Sequence, residues 1–126
     1  MIMDWQDYMK QLSPQLRELR LGTPDVMKGF SAMAQSALKT NALDTKTKEL
    51  IALAIGVATR CDDCIAFHTK AALDQGATRE EVMETLGLAI YMGAGPSVMY
   101  ASHAVEAYDQ IKAAKDAAQA AKPAQD

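Results

Sequence analysis

The 126-residue sequence holds only two cysteines, two histidines and one tryptophan. Two cysteines cannot form a disulfide scaffold, and a chain of this length buries a core without one. A basic excess is also missing: 13 Lys and Arg stand against 16 Asp and Glu, for a net charge of −3. Nucleic acid is therefore not expected as a partner, because phosphate binding draws on a cationic surplus. Residues 1–10 carry Asp4 and Asp7 and no basic stretch ahead of an apolar run, unlike a secretory leader. The apolar run 50–58 (LIALAIGVA) is far shorter than the ~20 residues that span a bilayer. Strand-period alternation is absent throughout. With 49% hydrophobic and 23% charged residues, the composition is that of a folded globular chain. The expectation is one soluble, cytoplasmic, all-α domain over residues 1–126, with no membrane partner. In that compartment a close cysteine pair is redox-active or metal-binding rather than a structural staple.

Helical spacing of apolar residues organises what is present. Trp5, Tyr8, Met9, Leu12, Leu16 and Leu19 form one such series, interrupted by Pro14 with Ser13 before it, as one kinked helix or two short ones. Thr23-Pro24-Asp25 opens the next helix with a hydroxyl cap, a first-turn proline and an acid at the positive end of the dipole. Its face of Met27, Phe30, Met33, Ala34, Ala37 and Leu38 is expected in the core. Asp44 or Thr45 caps a third helix whose residues 50–58 are apolar all round, which implies cover on several sides by the domain or by a partner subunit. Glu49, at its polar edge, shares a stripe with Leu53 and with Gly56, where another element can approach closely. Periodicity alone makes Glu49 a solvated first-turn acid.

A fourth helix starts within residues 61–64 and ends at Gly76. Thr78-Arg79-Glu80-Glu81 is a capping box that opens a fifth. Residues 92–96 (MGAGP) break the pattern before a last helix with Val98, Ala101, Val105, Tyr108 and Ile111 on its apolar side. His103 falls on the opposite side with Met99 and Glu106, as a surface or interface histidine. The alanine-rich segment 113–126 either extends this helix, since alanine favours it, or frays, having little to bury; fraying is the expectation.

Both cysteines and one histidine lie in residues 61–68, CDDCIAFH. On a helix Cys61, Cys64 and His68 share one face. Two thiols a turn apart at a helix start can reach disulfide distance, and the helix N-terminus favours a thiolate. His68 supplies a proton acceptor near neutral pH. Asp62 and Asp63 oppose this, because carboxylates beside a thiol disfavour its thiolate if they point inward. Three readings follow: a dithiol redox centre, a zinc site completed by Glu49, His103 or an aspartate, and simple packing. No second CxxC or HxxxH supplies zinc ligands, and an aspartate pair fits an apolar site poorly, so the chemistry favours redox.

The series Glu49, then CDDCIAFH, then Gly76-Ala77-Thr78 with Glu80-Glu81, and later Gly93-Ala94-Gly95-Pro96, resembles the carboxymuconolactone decarboxylase / alkylhydroperoxidase D superfamily over most of the chain. The resemblance implies an alkylhydroperoxidase D-like domain of about six helices that assembles into a homo-oligomer, a trimer or hexamer. It implies a thiol-dependent hydroperoxide or disulfide reductase in antioxidant defence, working without metal or cofactor. By the same resemblance Cys64 is the peroxide-reactive sulfur, Cys61 the resolving and exchanging thiol, and Glu49 and His68 the proton relay. A thioredoxin-like protein, a dihydrolipoyl protein or a peroxiredoxin partner would exchange electrons with the pair. The best-known alkylhydroperoxidase D proteins carry histidine where this chain has Asp63, which places an anion beside the reactive sulfur. Lactone decarboxylases of the superfamily do without the dithiol. A lyase, or a non-catalytic metal-binding or structural oligomer, is the alternative.

Overall fold

The computed structural model describes residues 1–123, which form five helices and, among those residues, no strand. They are α1 (Trp5–Gly22), α2 (Pro24–Leu38), α3 (Thr45–Ala58), α4 (Asp62–Asp74) and α5 (Arg79–Ala120). Side-chain oxygen caps start three of them as their first residues require. The Asp4 carboxylate accepts from Asp7 N, that of Asp44 from Thr47 N, and Thr78 and Glu81 form a reciprocal capping box.

Two expected breaks behave differently. Pro14 lies within α1 without ending it, and the Ser13 hydroxyl donates back to Met9 O at 3.2 Å instead of capping a second helix. Residues 92–96 do interrupt α5, at Ala94, whose φ of 55° and ψ of −141° are not helical. Counted as two arms, α5 brings the helix number to the expected six.

The core lies where α3, α4 and α5 meet. Leu53 and Val57 of α3, Ile65 and Leu73 of α4, and Val82, Leu86 and Ile111 of α5 are buried together. Ala101, Ala104 and Ala107 keep the second arm of α5 thin enough for close helix approach. Trp5 and Met9 of α1 seal one side. The extreme N-terminus holds α1 in place: Glu106 accepts from Ile2 N and Met3 N, both at 2.7 Å, and from Trp5 Nε1 at 3.1 Å. Those bonds, the one from Ile2 first, hold the Glu106 carboxyl below its ordinary range.

The apolar face of α2 is not core. No residue of α2 is buried, and Phe30 is 57% exposed. Amphipathic spacing identifies a face but not what covers it, and α2 lies beside the three-helix core rather than over it. The Thr23 hydroxyl also declines the expected capping role, donating instead to Leu19 O at 2.9 Å. In α3 the domain covers one side only: Leu53, Gly56 and Val57 are buried, while Ile51 and Ile55 face outward. The alanine-rich stretch is helical as far as Ala120, where fraying was expected. Lys115 Nζ donates to Leu73 O at 3.1 Å, tying that stretch to the carbonyl end of α4. Residues 124–126 of that expected tail lie outside the described residues.

Candidate active site

The site begins with the way α3 ends. Cys61 N donates to Gly56 O and Arg60 N to Val57 O, the pair of bonds of a Schellman turn. Its left-handed position, usually glycine, is Arg60 with φ 58°. This turn delivers Cys61 directly to the start of α4. Cys61 is the N-cap, with extended backbone (φ −110°, ψ 96°), and its Sγ accepts from Cys64 N at 3.2 Å. The two cysteines are joined as a disulfide with Cα atoms 5.2 Å apart, well within the range such a bond requires. Asp62 and Asp63 follow in the first turn, at the positive end of the helix dipole.

α3 and α4 approach most closely beside this pair. A Cβ built on Gly56 would lie 3.0 Å from Cys64 Cβ, so the missing side chain at residue 56 is what admits the disulfide, as the sequence pattern suggested. Two turns back along the same face of α3, Glu49 is buried, at 5% exposure. Its Oε2 lies 2.6 Å from His68 Nδ1. A buried carboxylate accepts, so Nδ1 carries the proton in this bond and Nε2 is the nitrogen left free. His68 lies one turn beyond Cys64 on α4. The four residues expected from the resemblance therefore occupy one seam, with Cys61 bonded to Cys64 and Glu49 bonded to His68. Periodicity alone had put Glu49 in solvent. What buries it is the close α3–α4 packing that Gly56 permits, a tertiary effect.

The residues that sequence reasoning missed hold the two aspartates. His103 Nδ1 lies 2.7 Å from Asp62 Oδ1, and its ring packs 5.0 Å from that of Tyr100 and 6.0 Å from that of Trp5. The Tyr8 hydroxyl donates to Asp63 Oδ1. His103 is thus half-buried and engaged rather than a surface histidine. The available signal was the aspartate pair itself: two adjacent acids beside thiols call for donors from elsewhere in the fold. Among the described residues no three His, Cys, Asp or Glu side chains converge as a metal set. No helix among them is long and apolar enough to cross a membrane.

Comparison with known proteins agrees with this architecture. A carboxymuconolactone decarboxylase family protein from Legionella pneumophila superposes with a TM-score of 0.83 at 50% identity, covering 85% of this chain and 96% of that one. One from Thermotoga maritima, suggested to be involved in antioxidative response, superposes with a TM-score of 0.67 at 30% identity, over 71% of this chain and 93% of that one. A Cupriavidus necator protein of uncharacterized function is 38% identical over 113 residues, 90% of this chain and 100% of its own. Residues 24–107, a stretch running from the start of α2 through the second arm of α5, match the carboxymuconolactone decarboxylase family, and the chain belongs to it.

Proposed function

We propose that the chain is a thiol-dependent oxidoreductase that cycles Cys61 and Cys64 between dithiol and disulfide, reducing hydroperoxides or protein disulfides in antioxidant defence. The observation that carries this reading is the 2.6 Å bond from His68 to the buried Glu49, in the same seam as a cysteine pair that closes a disulfide. A proton-handling pair held in fixed geometry near a nucleophile is what such chemistry needs. The suggested antioxidative role of the Thermotoga maritima relative points the same way.

In the reducing direction, His68 Nε2, directly or through water, takes the proton of Cys64, and Glu49 stabilises the imidazolium. The Cys64 thiolate attacks the distal peroxide oxygen. The O–O bond breaks, an alcohol leaves with the proton held by His68, and Cys64 becomes a sulfenic acid. Cys61 then condenses with it, releasing water and forming the Cys61–Cys64 disulfide. A dithiol reductant, either a thioredoxin-like or a dihydrolipoyl protein, restores both thiols and is itself oxidised. A peroxiredoxin partner would instead receive the electrons by the same exchange. Ile51 and Ile55 of α3 and Leu88 and Met92 of α5 are exposed and line adjoining apolar grooves, which supports assembly as a homo-oligomer, because exposed apolar surface of this kind commonly marks an interaction face. A cytoplasmic location agrees with cysteines that cycle rather than staple.

The test is the pH dependence of Cys64 alkylation in reduced wild-type protein and in Glu49→Gln. The variant should react more slowly near neutral pH, and coincident curves would remove Glu49 from the relay. Peroxide should consume both thiols without cross-linking chains, and Cys61→Ser should trap a sulfenic acid on Cys64. Thiols that survive both peroxide and disulfide reagents would overturn the redox reading. Turnover of a carboxylated lactone by the Cys61/Cys64 double mutant would assign a lyase instead.

A further inference from the structure

The two acids inside CDDC are held by side chains from opposite ends of the chain, and the two partners are not equivalent. Asp63 accepts a hydrogen bond from the phenol hydroxyl of Tyr8 on α1, a donor that carries no charge. Asp62 is bonded to His103 on α5, and an imidazole, unlike a phenol, can carry its proton as a cation. Asp62 directly follows Cys61 in the chain, which keeps its charge within a Debye length of the Cys61 sulfur. The pair is only about a quarter exposed on each side, so solvent and salt screen it less than a surface ion pair.

We propose that His103 is a positioning residue for Cys61: by binding Asp62 it draws that carboxylate toward α5, and in its protonated form it cancels the charge beside the Cys61 thiol. A carboxylate next to a thiol opposes loss of its proton, and a cation on that carboxylate removes the opposition. The proton state of His103 therefore sets how readily Cys61 becomes a thiolate for exchange with a partner's disulfide. This proposal rests on the dithiol cycle described above and extends it, giving each sulfur its own histidine–carboxylate pair. Glu49–His68 stands on the Cys64 side and Asp62–His103 on the Cys61 side.

Few other charges face the pair. From α4 there is Asp63, engaged by Tyr8. From α5 there are Tyr100, packed on the imidazole, and Glu106, occupied by the N–H groups of Ile2, Met3 and Trp5. Arg60, in the loop before Cys61, is exposed. α1 adds Tyr8 and the uncharged indole of Trp5. The Glu49–His68 pair lies in the α3–α4 seam.

The experiment measures iodoacetamide alkylation of Cys61 in the reduced full chain, resolved by peptide mass spectrometry, from about pH 5.5 to 8.5. His103→Gln should slow Cys61 alkylation on the order of tenfold on the acid side. The gap should close as pH rises and wild-type His103 loses its proton. His103→Arg, a cation that does not titrate, should restore the rate and abolish the pH-dependent gap. On the alkaline side Asp62→Asn/His103→Gln should match Asp62→Asn alone, since no carboxylate remains to be neutralised and no cation is present. If His103→Gln does not fold, His103→Arg carries the test: it should speed Cys61 above wild type on the alkaline side, where the fixed cation still covers Asp62, and match wild type on the acid side. Parallel wild-type and His103→Gln profiles, parallel wild-type and His103→Arg profiles, or a double variant slower than Asp62→Asn on the alkaline side, would overturn the proposal. Alkylation needs no peroxide, so an enzyme inert to peroxide would sink the peroxidase reading while leaving this one decided on its own data.

Discussion

Gly56→Ala adds one methyl group at the point where α3 and α4 touch. The new Cβ would stand 3.0 Å from Cys64 Cβ and 3.6 Å from both Cys64 C and Ile65 N. Carbon atoms rest at about 3.5–4.0 Å, so α4 must retreat by a few tenths of an ångström, because Cys64 Cβ is fixed to the backbone and cannot swing aside. Overpacking of this kind costs about 1–3 kcal/mol. Alanine is a better helix former than glycine by about 1 kcal/mol, which offsets part of that. The net expectation is a loss of about 1 kcal/mol, or roughly 4 °C in Tm for a domain of this size. Gly87→Ala is the matched control. It too lies within a helix, and its new Cβ would meet nothing within 4 Å, so its Tm should rise by about the same amount. Thermal unfolding of the two variants, followed by circular dichroism under fixed redox conditions, reads the difference in sign. The same retreat lengthens the Glu49–His68 bond two turns along the seam, so Cys64 alkylation should slow in Gly56→Ala and not in Gly87→Ala. Equal gains in Tm for both substitutions would refute the close α3–α4 approach, and with it the reason given for the burial of Glu49.

Ala94 adopts φ 55° and ψ −141°, a region costly to any residue with a Cβ by about 1–3 kcal/mol. Ala94→Gly should therefore raise the urea midpoint with unchanged slope, and a lowered midpoint would count against strain there. For Glu106, whose carboxyl is held low by the N–H groups of Ile2 and Met3 and the Trp5 indole, the stabilisation is present above the unfolded value of about 4.3. It is lost as pH falls through the lower folded value. Glu106→Gln should accordingly be less stable than wild type at neutral pH, with the gap shrinking on acidification. Fluorescence of Trp5, the single tryptophan, reports it directly, and a gap constant with pH would remove the carboxylate's charge from the account.

The sequence carried the local features well. Asp44, Thr78 with Glu81, and the MGAGP break all appear where short-range chemistry puts them, because caps and turns are decided within a few residues. Gly56 could be read as a point of close approach because a missing side chain on an apolar stripe has few other uses. Glu49 could not be read from its own helix, since its burial depends on α4 closing over it. The reading came from resemblance. His103 gave no sign of its partner for a related reason. Its partner Asp62 is 41 residues away, and a helical wheel of α5 says nothing of what stands opposite. The exposed face of α2 shows the converse: Phe30 and Met33 have the right period for a core and no core within reach.

The attachment of α1 has a consequence for the order in which the molecule assembles. Residues 2, 3 and 5 bond to Glu106 and Gln110 across separations of 101 to 105 residues, whereas α3, α4 and the first arm of α5 meet through short loops. Closing so long a loop costs more chain entropy than closing a short one, and such contacts form late. On a ribosome the first helix made must wait for the last one to emerge before the bonds of residues 2, 3 and 5 can close. Tyr8, which holds Asp63, and the Trp5 indole, which packs on His103, arrive with it. The cysteines accordingly pass through a stage in which α3 and α4 are joined but the acids between the sulfurs lack part of their escort. A slow phase in Trp5 fluorescence during refolding, after helix content is complete, is the signature of that closing step.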